Sequence, residues 1–159
     1  MSDNIKQCNC KNCLHETRDI DTTADEFVID GKFYYHKDCH KVNDDIKDVL
    51  AIWQKSIDEN VNFGYLRREL NRLIYTEGNP SGYVVFCAMR GANSGRLRHV
   101  QGLKYYVNNA EIRKEYETKM RESKIRQHKF TVETEDLREP KFSGSSKPTG
   151  FGGIFGGKR

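Results

Sequence analysis

The feature that most constrains this chain is a pair of short spacings near its start. CNCKNC sets Cys10 and Cys13 apart by two residues, and HKDCH does the same for His36 and Cys39. Two such pairs on either side of a short segment supply the thiolates and the imidazole that a tetrahedral zinc ion takes in structural sites. Four protein ligands leave no open coordination position, so one structural Zn2+ is expected and not a catalytic one. A module of about 40 residues buries too little apolar surface to fold unaided, and metal binding makes up the difference. Cys8 is an alternative to Cys10, at a four-residue gap from Cys13, and His15 and His40 compete for a position. Regular short spacing favours Cys10, Cys13, His36 and Cys39 as the set.

The other cysteine, Cys87, sits alone in an apolar run and is expected to be a small buried side chain. An odd number of cysteines behind a polar start, MSDNIKQ, fits thiolates on a metal in a reducing compartment better than a disulfide framework. The best apolar run, from Tyr83 to Met89, is far short of the roughly 20 residues of a membrane span. A soluble cytoplasmic protein without a membrane partner is the expectation.

Charge is distributed unevenly. Residues 1–62 carry 8 Lys/Arg against 13 Asp/Glu, residues 63–130 carry 14 against 6, and the remainder 5 against 4. Ionised cysteines would make the acidic front more negative still. The basic middle is a candidate surface for a polyanion.

Between the two ligand pairs lies EFVIDGKFYY, in which Asp30 and Gly31 separate β-prone residues, a strong hairpin signal. The hairpin delivers His36, and Cys39 follows at the opening of a helix, so both can face one ion from a single turn. A CxxC knuckle, a β-hairpin and a helix whose first turn supplies the last ligand resemble the treble-clef zinc finger, and the spacing is similar to the first half of a LIM domain. That resemblance covers residues 8 to about 50 and implies a zinc site; fingers of this kind serve nucleic-acid binding, protein binding or structural support. The further stretches NRLIYTEG, SGYVVFCAM and GLKYYVNN give the chain a layout similar to small zinc-finger proteins encoded by phages of Gram-positive bacteria. A nuclease of the HNH kind would need a catalytic histidine beside an acidic residue at the first strand, and none stands there.

From Asp44 onward Ile46, Val49, Leu50, Trp53 and Ile57 recur at helical steps, with Asn43 as the expected cap and Trp53 as a core anchor. A second helix is expected after Asn62, with Leu66, Leu70, Leu73 and Ile74 on one face and an end near Gly78. Asn79, Pro80 and Ser81 then introduce a short apolar helix from Tyr83 to about Met89, followed by a loop over 91–102. Leu103, Tyr106 and Val107 open a last helical run through Ile112 and Tyr116 to about His128, its second half exposed and of mixed charge.

Arg67, Arg68, Arg72, Arg90, Arg96, Arg98 and Lys104 fall on neighbouring elements of this plan, with Asn93, Ser94, His99 and Gln101 interleaved. Arginine suits phosphate and guanine edges because its planar donors match them. The ending KFSGSSKPTGFGGIFGGKR is Gly- and Ser-rich, with spaced Phe142, Phe151, Ile154 and Phe155, a composition expected to stay flexible.

The expected fold class is therefore α+β and mostly helical. A treble-clef-like zinc module spans 1–43, a basic helical domain compatible with a winged-helix or helix-turn-helix variant spans 44–130, and a flexible tail spans 131–159. The expected function is zinc-stabilised, non-enzymatic binding of nucleic acid, DNA or RNA, through that basic surface. The alternative is an adaptor or inhibitor docking on a host protein through the acidic finger or the aromatic tail, and an HNH-like nuclease ranks third. No small-molecule substrate and no catalytic residues are evident.

Overall fold

A computed structural model describes residues 4–136, with side chains described through residue 127. The fold is α+β: two small hairpins come first and helices make up the rest. By its contacts the chain divides after Met120 into two units, so the last helix begins in one and ends in the other.

The first hairpin pairs β1 (Ile5–Gln7) with β2 (Asp19–Asp21), antiparallel, with Ile5 opposite Asp21. Only Ile20 of these residues is fully buried, which is why so polar a ribbon carries no strand signal in the sequence. The second hairpin pairs β3 (Phe27–Asp30) with β4 (Phe33–His36). Its two-residue turn is Gly31–Lys32, one residue later than an Asp-Gly centre, and Gly31 takes the positive φ of 63° that such a turn demands. The two ribbons are joined where Cys8 bridges Tyr34 and the Asn9 amide donates to the Tyr34 carbonyl at 2.9 Å.

Helix α1 (Lys37–Ser56) starts directly at the end of β4 and runs unbroken across residues 43 and 44. Asn43 is therefore inside the helix and caps nothing; His36 holds the N-cap position, and its side chain makes no capping bond. Cys39, Val42, Ile46, Val49 and Trp53 form its buried stripe, so one helix begins in the cysteine cluster and ends in the helical core. Trp53 is fully buried there, as its helical phase requires.

Helix α2 (Phe63–Asn71) is capped by Asn62, whose side-chain oxygen accepts from the Tyr65 amide at 3.0 Å. The helix widens into a π turn over Arg72–Thr76 and stops at Gly78, where φ is 71°. Asn79 is buried but satisfied: its amide nitrogen donates to the Leu73 carbonyl and its oxygen accepts from Arg113.

Helix α3 (Ser81–Ser94) is longer than the apolar run suggested and includes Gly91, where a loop was expected. The reason is tertiary. Leu97 lies so close to Gly91 that an added Cβ would come within 2.5 Å of its Cδ2, so the bare backbone lets the returning chain pack against the helix. Gly95, at φ 64°, ends the helix.

The last expected helix is two. Helix α4 (Gly102–Val107) ends at Asn108, and α5 (Ala110–Asp136) starts anew because Asn109 Oδ1 accepts from the Glu111 and Ile112 amides. Residues 131–136 of the expected tail are the end of α5, while Phe142, Phe151, Ile154 and Phe155 lie outside the described residues. Among the described residues after His36 no strand occurs, so the β-wing of a winged helix has no counterpart there.

Candidate metal centre and basic surface

Four elements meet at the cysteine cluster. Cys8 follows β1, Cys13 lies in the β1–β2 connection, His36 ends β4 and Cys39 sits in the first turn of α1. The ligand atoms of Cys8, Cys13, His36 and Cys39 all lie within 4.8 Å of one another. Cys13 Sγ is 3.5 Å from His36 Nδ1 and 3.8 Å from Cys39 Sγ. Bond lengths of about 2.3 Å to sulfur and 2.0–2.1 Å to nitrogen at tetrahedral angles would set such atoms roughly 3.6 and 3.8 Å apart. Those two separations are compatible with a single ion of that size.

The surroundings orient the same atoms. His36 Nε2 faces the Asp19 carbonyl at 3.3 Å, which presents Nδ1 to the cluster, and the Leu14 amide donates to Cys39 Sγ at 3.4 Å. His15 stacks on His36 with ring centroids 3.9 Å apart and bonds Asp38 at 2.9 Å, so it braces the imidazole from outside. Burial opposes ionisation of Asp38, but hydrogen bonds from His15 and from the Cys39 amide outweigh it and hold the carboxyl below its ordinary value. Burial, aided by the neighbouring thiols, pushes the Cys39 thiol well above its ordinary range. Without a cation Cys39 resists forming a thiolate, and a bound divalent ion would reverse that balance.

Three of the expected ligands, Cys13, His36 and Cys39, thus come together, but the fourth place is taken by Cys8 and not by Cys10. The bridge between Cys8 and Tyr34 holds Cys8 against the strand that carries His36. Cys10, equally buried, instead donates its thiol to the Asn12 carbonyl at 3.0 Å and shares a cavity wall with Tyr75 of the π turn. The sequence signal for Cys8 was strand pairing, which ligand spacing does not report. His40 is paired with Asp44 at 3.0 Å and stands outside the cluster.

The seven basic residues differ in whether a carboxylate answers them. Arg72 is held by Glu69 and, at 3.1 Å, by Glu77; Lys104 also reaches Glu77, at 3.8 Å, and Arg90 pairs with Glu115 at 3.5 Å. Arg68 lies over the Tyr65 ring. Arg67, Arg96 and Arg98 have no ion pair among the described residues, and they line three different clefts. Arg96 shares a cleft of about 460 Å3 with Arg90, Asn93, Tyr105 and Tyr106, between α3 and the α4–α5 junction. Tyr105 on its edge is 80% exposed.

A further cleft, about 880 Å3, has the opposite character. Asp19, Asp25, Glu26, Asp38, Asp44 and Asp45 line it, against Lys37, Lys41 and three histidines. No helix among the described residues is long and apolar enough to cross a membrane. No protein-family model matches the sequence, no curated protein is found similar to it, and no solved structure matches it.

Proposed function

We propose that this protein is a zinc-stabilised, non-enzymatic nucleic-acid-binding protein. In that reading Cys8, Cys13, His36 and Cys39 hold one structural zinc, in a treble-clef-like arrangement of knuckle, hairpin and helix. The ion ties the hairpins to the start of α1, and α1 carries that order into the helical core.

The observation that carries the binding reading is Tyr105. A tyrosine ring 80% exposed beside a cleft edged by Arg96 offers a base a stacking face and its phosphate one guanidinium group without an ion pair among the described residues, while Arg90 at the same edge is shared with Glu115. Asn93 adds hydrogen-bonding capacity at the same edge. The binding surface is thus narrower than the full arginine set, centred on α3 and α4. Such a surface selects unpaired bases, because only a splayed base can stack on a side chain.

Titrating a labelled single strand between about 50 and 200 mM salt tests this. Affinity is expected to fall with a log-log slope of roughly −0.7 per neutralised phosphate. Tyr105→Ala should weaken binding about five-fold or more, the equivalent of at least ~1 kcal/mol per stacked base, and Arg96→Ala should make the salt slope shallower. Binding that ignores salt and both substitutions refutes the reading.

The acidic cleft favours a second reading, an adaptor that seats a basic segment of a partner protein against the metal module. A stoichiometric partner captured from nuclease-treated lysate, and released by Asp44→Asn with Asp45→Asn, would favour it over the first.

A further inference from the structure

The seam between the metal module and the helical core holds a cavity of about 250 Å3 that neither the metal nor the Tyr105 face uses. At just below the roughly 300–1,000 Å3 of sites for drug-sized ligands, it can enclose a base but not a whole nucleotide, so a sugar and phosphate would lie outside, toward the exposed Lys11 and Arg67. Its walls combine three kinds of chemistry. Asn43 of α1 and Asn71 of α2 face it with half-buried side-chain amides that bond no described residue. Tyr35 and Tyr75 contribute rings, and Lys11 and Arg67 contribute cations without an ion pair among the described residues.

The two amides have a cost with no hydrogen bond in return among the described residues. Asparagine inside a helix is less favourable than alanine by up to about 0.7 kcal/mol, and Asn43 offsets that with no capping or packing bond. An amide presents a donor and an acceptor side by side, the pair that matches the edge of a base and of adenine in particular. The electrostatics of the seam agree. Its one carboxylate, Asp30, lies 4.0 Å from Lys47 and 3.9 Å from His40, both of which bond Asp44 more closely, and the exposed Lys11 and Arg67, with no ion pair among the described residues, are the cations open to an anion.

We propose that this seam binds a single purine nucleotide, with the base edge read by Asn43 and Asn71 beside the tyrosine rings and the phosphate held by Lys11 and Arg67. The ligand is either a free nucleotide or one residue of a strand, and the chemistry of recognition is the same for both. The first case is independent of the Tyr105 surface; the second extends it with a site that reads one base.

Calorimetric titration of the full-length, metal-loaded protein with AMP, adenosine, UMP and inorganic phosphate tests the site. AMP is expected to bind one-to-one, with UMP and phosphate at least about ten-fold weaker, the equivalent of ~1.4 kcal/mol for a base pair of hydrogen bonds. Asn71→Leu should cost AMP about ten-fold or more. The exposed substitution Arg67→Gln should weaken AMP while leaving adenosine unchanged, and it reports on the site even if Asn71→Leu disturbs packing. An oligo(dA) strand that displaces AMP at lower concentration identifies the strand as ligand, whereas AMP binding that oligo(dA) cannot displace identifies the free nucleotide. If AMP fails to bind at millimolar concentration, or phosphate alone binds as well as AMP, the proposal is overturned. A strand that binds with salt dependence while AMP does not bind removes the seam site and keeps the Tyr105 reading; AMP binding without strand binding does the reverse.

Discussion

The metal module and the helical core are held together by different physics, although α1 belongs to both. In the module the fully buried side chains are Cys8, Cys10, Ile20 and Cys39, so one aliphatic residue stands among three thiols. In the core, Trp53, Leu66, Leu70, Leu73, Tyr83, Val84, Leu103 and Val107 are all at or below 1% exposure and pack as one cluster. At about 25 cal/mol per Å2 of apolar burial, the core has a driving force of its own. The module buries mostly sulfur and little hydrocarbon, so its order would draw on the proposed ion where the core draws on apolar burial.

The most severe way to break the comparison is to deprive the module of the proposed zinc. Chelation, or Cys39→Ser, should disorder β1 to β4 while α2 to α4 keep their protection in amide exchange, because structural zinc contributes on the order of 10–16 kcal/mol to such modules. Cys8→Ser should abolish stoichiometric metal, whereas Cys10→Ser should retain it. Metal retained by Cys8→Ser and lost by Cys10→Ser would return the fourth place to Cys10.

A large-to-small substitution probes the other half. Leu70→Ala, at a fully buried site, should cost about 2–5 kcal/mol in denaturant unfolding and leave metal stoichiometry unchanged. Loss of metal on that substitution would mean that the two regions fold as one unit.

The smallest effect concerns pH and again separates core from module. Burial pushes the Cys87 thiol from the ordinary 9.0 up to about 11. Burial likewise pushes Tyr83, whose hydroxyl donates to the Val107 carbonyl, up to about 12. A group whose folded value is raised gives stability that is complete below its unfolded value and lost as pH rises through the folded one. The core should therefore weaken between about pH 9 and 11 in unfolding titrations, and Cys87→Ala should flatten that decline. An unchanged decline would assign it to other groups.

Features set by neighbours in the chain were legible beforehand. The α1 stripe needs only helical spacing, the α2 cap needs only Asn62, and the β3–β4 turn needs only a glycine able to take positive φ. The first hairpin was not legible, because its strands are almost wholly polar and pair through backbone alone. Nor was the extension of α3, since Gly91 reads as a breaker until Leu97 is seen packed on it.

What this sequence determined by itself is local: periodicities, caps, a turn, and a supply of thiols and imidazoles close enough along the chain to meet. Which thiol completes the cluster, which arginines keep an unpaired charge and which amides share a cavity were decided only by tertiary structure. Those properties depend on approach between residues far apart in sequence, such as Cys8 with Tyr34, Arg90 with Glu115 and Asn43 with Asn71. A one-dimensional pattern carries the chemistry of each group but not the distance between them, and distance decides whether a charge is answered or left to bind.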